Sequence, residues 1–234
     1  MSRLRVGTAV VVGLLFVAGV AGGVWRLTRD EPADVPPCWA AVEAERDLGP
    51  APLTTGSPRI AVLGDSYSLG LAAGGPRVGY PAVLGERLGA EVVVHGVGGT
   101  GFTTRGFCPD NPVAYGERLA ADPPDAEVVV VQGSVNDATV GRPDDVGAAA
   151  DEVLQDLEDV PTVVVVGVPV IPAAEPDDLR TIDDALRAAA EDAGRAYVPL
   201  LDEDIAILPD RVHPTVEGQQ RIAELVAAAI GTTR

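Results

Sequence analysis

The chain has 234 residues, 47% of them apolar and 22% charged, which is enough for one folded domain beyond a short N-terminal segment. Its formal net charge of −18 gives a surface that repels phosphate backbones and excludes nucleic acid as a partner, and 4% aromatics argue against a ring-lined pocket for sugars or bases. Every basic residue is arginine, so a phosphate loop that needs lysine is excluded. The two cysteines and two histidines form no cluster with metal-ligand spacing, so no zinc site of that kind is expected.

Val6 to Trp25 is an uncharged apolar run. As a helix it spans about 30 Å, the thickness of a bilayer's hydrocarbon core. Arg3 and Arg5 before it favour an orientation with the N-terminus inside, and Trp25 stands where an interfacial aromatic belongs. A cleaved signal peptide is the rival reading, but no clean A-x-A site follows the run, which favours a single-pass membrane anchor through residues 6–25. Both readings export the rest of the chain, anchored or secreted. Residues 1–28 therefore read as a cytoplasmic stub plus anchor, 29–58 as a Pro- and Ala-rich tether, and 59–234 as the folded domain. Export favours a Cys38–Cys108 disulfide, which would close a loop of about 70 residues and contribute on the order of 4 kcal/mol.

From Arg59 onward, short β-branched runs alternate with helical spacing. Strands are expected at Ile60–Leu63, Glu91–Val94, Glu127–Val131, Thr162–Val168 and Ala196–Val198. Helices are expected at Tyr80–Leu88, Pro112–Ala121, Asp144–Leu157, Asp177–Ala193 and Thr215–Ile230, with Asp178, Asp183 and Asp184 on the exposed face of the fourth. Alternation of this kind implies βαβ units and a parallel sheet covered on both faces. Ligands of such sheets bind beyond the carboxyl ends of the strands, so the residues just after each strand carry the functional argument.

After the first strand comes Gly64-Asp65-Ser66-Tyr67-Ser68, which places a serine on a strand-to-helix turn. A serine nucleophile needs a base. His213, with Asp210 three residues before it, offers an imidazole and a carboxylate to orient it; His95 has no acid nearby and reads as structural or as a pocket wall. A developing oxyanion also needs donors. The glycine loop Gly96-Val97-Gly98-Gly99-Thr100-Gly101 follows the second strand, and Asn136, able to point its amide into the same crevice, follows the third.

These blocks, in this order, resemble the SGNH (GDSL-type) esterases. The resemblance implies a flavodoxin-like three-layer α/β/α sandwich with five parallel strands and no metal or organic cofactor. It implies Ser66 as nucleophile, Asp210 and His213 as acid and base, and an oxyanion hole of Ser66, Gly99 and Asn136, with Gly98 an alternative to Gly99. The sequence departs from the family pattern where Val94-His95 replaces an asparagine near the glycines and where two residues, not one, separate Gly133 from Asn136. The expected activity is hydrolysis of acyl or acetyl esters through an acyl-enzyme outside the cytoplasm, on a small ester or an acylated envelope substrate. The alternatives are an O-acyltransferase or deacetylase acting on envelope glycans with the same residues, and a non-catalytic binding domain on the same fold. Small residues from Leu69 to Gly79 permit a small acyl pocket; acyl specificity and oligomeric state are left open.

Overall fold

The computed structural model describes residues 52–106, 114–140 and 142–232. The apolar run Val6–Trp25, the tether up to residue 51, Cys38 and Cys108 lie outside the described residues, and with them the membrane and disulfide expectations. Among the described residues no helix is long and apolar enough to cross a membrane.

Five strands form one sheet: β1 (Arg59–Gly64), β2 (Glu91–Gly96), β3 (Val128–Gln132), β4 (Thr162–Val166) and β5 (Ala196–Val198). All pairs are parallel, in the order β2-β1-β3-β4-β5. The valine runs explain the sheet. β-Branched side chains suit the pleat, and every residue of β3 is buried, as expected for a central strand covered on both faces.

The helices are α1 (Tyr80–Leu88), α2 (Tyr115–Ala121), α3 (Val135–Val140), α4 (Val146–Asp156, preceded by a 3₁₀ turn at Pro143–Asp145), α5 (Pro176–Asp192) and α6 (Val216–Thr232). α1 packs with α6, while α2, α4 and α5 pack side by side. Right-handed crossovers put these two groups on opposite faces, because the chain steps from β1 to β2 in one direction and then returns across β1 to β3. That reversal leaves a crevice where the loops leaving β1 and β3 diverge. Upstream of β1, Leu53 donates to the Val92 carbonyl (2.8 Å) and Ser57 to that of Gly89 (3.0 Å), so bonded structure reaches back ahead of Arg59.

The structure departs from the sequence pattern in two places here. The six-residue α3 was not anticipated; it is too short to show periodicity and starts on Ser134, whose Oγ accepts the Asn136 N–H (3.1 Å) as an N-cap. Asp183 was expected on the exposed face of α5, but it is 2% exposed. It lies on the Leu179, Ile182 and Leu186 stripe, and its carboxylate accepts the Tyr197 hydroxyl (2.5 Å) and Arg187 (2.8 Å), so the burial of an acid is offset by two donors. Replacing Tyr197 with Phe removes one of them. The expected outcome is a loss of about 2 kcal/mol in urea unfolding; an unchanged midpoint would show that this bond contributes nothing.

Candidate active site

The chain leaves β1 at Gly64 and turns at once. Asp65 Oδ1 accepts the Tyr67 N–H (2.9 Å), closing an Asx-turn around Ser66, and the Asp65 carbonyl accepts Ser68 Oγ (2.8 Å). The sequence pattern led us to expect a helix N-terminus here. Instead one helical turn forms, with Leu69 N–H on the Asp65 carbonyl and Leu71 N–H on the Ser66 carbonyl, and left-handed backbone at Gly70 ends it; the first helix begins only at Tyr80. Ser66 keeps 5% of its surface, and its N–H donates to no other described residue.

The glycine loop after β2 turns at Val97–Thr100, where Thr100 N–H reaches the Val97 carbonyl. Gly99 occupies the third position with φ +73°, which a type II turn requires and which a side chain would strain. Its N–H also donates to no other described residue. The loop is held from the β3 side. The fully buried Asp137 carboxylate accepts five hydrogen bonds, from the N–H groups of Phe102, Thr103 and Thr104 and from the hydroxyls of Thr103 and Thr104. Ser134 Oγ donates to the Thr100 carbonyl (3.0 Å). Gly101 permits this approach, since a Cβ there would lie 2.4 Å from Asp137 Oδ2 and 2.5 Å from Ser134 Oγ. From below, Arg118 donates to the carbonyls of His95 (2.6 Å) and Gly64 (2.8 Å), fastening the ends of β2 and β1.

Asn136 is brought to Ser66's turn, as expected, but its amide is not free. Nδ2 donates to Asp65 Oδ2 (3.0 Å) and to the Thr100 carbonyl (2.8 Å), so both hydrogens tie the Ser66 turn to the glycine loop. The additional residue between Gly133 and Asn136 is absorbed by Ser134, the cap of α3.

Asp210 and His213 are paired. His213 Nδ1 lies 2.8 Å from Asp210 Oδ2, while Asp210 Oδ1 accepts the N–H groups of Val212 and His213 (3.0 Å each). Burial is the largest single influence and pushes this carboxyl up, but those N–H groups and the imidazole together outweigh it, and Asp210 sits below the ordinary carboxylate value. The imidazole lies beside the Tyr67 ring, with 6.1 Å between centroids, and is thereby set against the residue next to Ser66. Gln219 of α6 completes the frame: it accepts the Tyr80 N–H (2.8 Å) at the start of α1 and donates to the Tyr67 carbonyl (3.3 Å).

His95 stands apart from this group. It lines a small cavity with Leu63, Arg118 and Asp122, and burial holds its imidazole below the ordinary value, against the pull of Asp122 at 3.7 Å. Among the described residues no group of His, Cys, Asp and Glu is arranged to hold a metal ion.

Residues 62–221 match the GDSL-like Lipase/Acylhydrolase family. The chain belongs to this family. As a GDSL-like acylhydrolase it is an ester-hydrolysing enzyme. Solved structures share its fold. A carbohydrate acetylesterase family member from Sinorhizobium meliloti superposes with a TM-score of 0.64 at 15% identity, covering 76% of this chain and 99% of that one. A carbohydrate esterase family 2 enzyme with a carbohydrate binding domain, from Corynascus thermopiles (Myceliophthora fergusii), gives 0.64 at 19%, covering 76% and 67%. The psychrotrophic esterase EstA from Pseudoalteromonas sp., in a structure inhibited by monoethylphosphonate, gives 0.61 at 15%, covering 75% and 98%. No curated protein matches the sequence significantly.

Within this acylhydrolase, the sequence pattern gave no role to Tyr67, Asp137 or Gln219. Gln219 did leave a signal: it falls on the buried Ile222, Ala223 and Val226 stripe of α6, where a polar side chain needs a partner.

Asp65 yields a test. It is fully buried, and desolvation pushes its carboxyl up to about 7, against the Tyr67 N–H bond and the charge of Arg118. Gln132 stands 3.4 Å from Asp65 Oδ1, and its Oε1 has no partner among the described residues; turned over, that amide would accept a proton from neutral Asp65. The folded chain thus holds a proton that the unfolded chain releases near pH 4. Stability from this group is complete below that pH and is lost as pH rises towards 7. The thermal midpoint should therefore decline over this interval, and Asp65→Asn should flatten that component; identical pH dependence in both proteins contradicts the assignment.

Proposed function

We propose that Ser66 is the nucleophile of a Ser-His-Asp esterase and that His213, oriented by Asp210, is its base. The observation that carries this reading is the 2.8 Å Asp210–His213 pair set against Tyr67, the neighbour of Ser66. With Nδ1–H donated to Asp210, Nε2 keeps its lone pair and takes the Ser66 proton as Oγ attacks the ester carbonyl. His213 returns that proton to the leaving alcohol. Water, deprotonated by the same imidazole, then attacks the acyl-enzyme; the ester bond to Ser66 breaks, the imidazolium returns the proton to Ser66 Oγ, and the carboxylic acid is released. Asp210 is suited to stabilising the imidazolium because its surroundings favour the charged form.

The oxyanion is held by the N–H groups of Ser66 and Gly99, which have no other described partner, and by the Asn136 amide, which exchanges the Thr100 carbonyl for the developing charge. The substrate we propose is an ester-linked acyl or acetyl group on a cell-envelope glycan. Two solved structures that share this fold belong to proteins described as carbohydrate esterases, and the apolar run Val6–Trp25 would hold the domain outside the cytoplasm.

Ser66→Ala is expected to abolish hydrolysis of p-nitrophenyl acetate by the full-length chain; retained turnover in that variant would end the assignment. Asn136→Ala is expected to lower kcat by about two orders of magnitude. A kcat equal to the parent's would remove Asn136 from the oxyanion hole.

A further inference from the structure

The turn that carries Asp210 and His213 is not held by its own segment alone. Arg211 has φ +70°, a left-handed conformation that a residue with a Cβ adopts only when its surroundings enforce it. The turn closes through Arg211 N–H on the Leu208 carbonyl (2.9 Å) and Leu208 N–H on the His213 carbonyl (2.8 Å). Arg211 also reaches outward, donating to the Pro172 carbonyl (2.5 Å) in the loop after β4. The remaining tie comes from the nucleophile turn. Tyr67 donates its hydroxyl to the Val212 carbonyl (2.5 Å), across 145 residues of sequence.

That bond has a specific consequence. The Val212–His213 peptide unit is gripped at both ends, its carbonyl by Tyr67 and its N–H by Asp210 Oδ1 (3.0 Å). Tyr67 is covalently next to Ser66, so the path from nucleophile to base is one peptide bond, one phenol, one hydrogen bond and one peptide plane. The ring is fully buried and its carbonyl is held by Gln219, which leaves the phenol little freedom to move. Burial, with Asp65 and Asp210 nearby, pushes the phenol well above its ordinary value, so it remains a donor over the working pH range.

We infer that Tyr67 is a positioning residue for the reaction: its hydroxyl fixes the place of His213 relative to Ser66 by holding the Val212 carbonyl. The inference rests on the proposed roles of Ser66 and His213, and it adds a residue that acts on the reaction through the place of His213. Without the hydroxyl, Asp210 still orients the imidazole and Arg211 still holds the Pro172 carbonyl, but the Asp210–His213 turn loses its hydrogen bond to the turn that carries the nucleophile. Small displacements of a base cost rate more than they cost substrate binding.

The test compares Tyr67→Phe, Tyr67→Leu and Ser66→Ala with the parent in the full-length chain. Tyr67→Phe keeps the ring against His213 and removes only the hydroxyl. The expected result is a kcat for p-nitrophenyl acetate lower by about tenfold with KM nearly unchanged, and a fluorophosphonate labelling rate lower by the same factor, the weight of one buried hydrogen bond. Tyr67→Leu, which also removes the ring, should fall further. A Tyr67→Phe chain as fast as the parent, while Ser66→Ala is inert, overturns the positioning role and leaves the esterase reading standing. A fully active Ser66→Ala defeats both. A measurement on the unaltered chain covers the case of misfolded variants: the Tyr67 hydroxyl proton should exchange slowly with solvent and couple to the Val212 carbonyl carbon in NMR spectra. A freely exchanging hydroxyl contradicts the inference.

Discussion

The site depends on one buried carboxylate, Asp137, that has no ion pair among the described residues. Beyond β2 the glycine loop has no neighbouring strand, yet its backbone groups are taken out of water. Asp137 supplies the acceptors and gathers three N–H groups and two hydroxyls onto one side chain. Five hydrogen bonds converging on one side chain fix a loop that no ladder could fix. Ser134 and Asn136 then hold Thr100 from the same short helix. The position of Gly99 follows from this attachment to β3 more than from the glycines, which only permit it.

Two other carboxylates flank Ser66 and are treated oppositely by their surroundings. Asp65 is sealed from water, so burial favours its neutral form, and its role is to shape the turn and receive the Asn136 amide. Asp210 lies near the surface, where backbone N–H groups and the imidazole favour its charge. A carboxylate that must stabilise an imidazolium has to keep its charge, whereas one that sets geometry does not. The same residue type, three residues before a histidine or one before a serine, is thus divided between electrostatics and shape by burial and by the hydrogen bonds each carboxyl accepts.

Much of this was legible in the sequence because it rests on local pattern. Short apolar runs, valine-rich in β2, β3 and β4, located all five strands, and Tyr80–Leu88 and Ala196–Val198 matched residue for residue, since apolar spacing and flanking glycines act within a few positions. Ser66 and Asn136 could be singled out because a parallel sheet delivers the residues after each strand to one edge, Asp210 and His213 by their three-residue spacing, and Gly99 through the family resemblance. What stayed hidden depends on contacts distant in sequence. The burial of Asp183 is decided by Tyr197, and the use of both Asn136 hydrogens by Asp65 and Thr100. The missing helix after Ser66 reflects Gly70, whose left-handed backbone ends the turn before a second one can form. The hydroxyl of Tyr67 meets Val212 only after the whole sheet has been assembled.

The account turns on Ser66 being the reactive nucleophile, and the direct measurement is covalent capture. The full-length chain treated with a fluorophosphonate and digested for mass spectrometry should carry a single phosphonyl adduct, on the peptide containing Ser66, with no adduct after replacement of His213 by Ala. An unmodified chain, or an adduct on another residue with Ser66 untouched, would contradict the account.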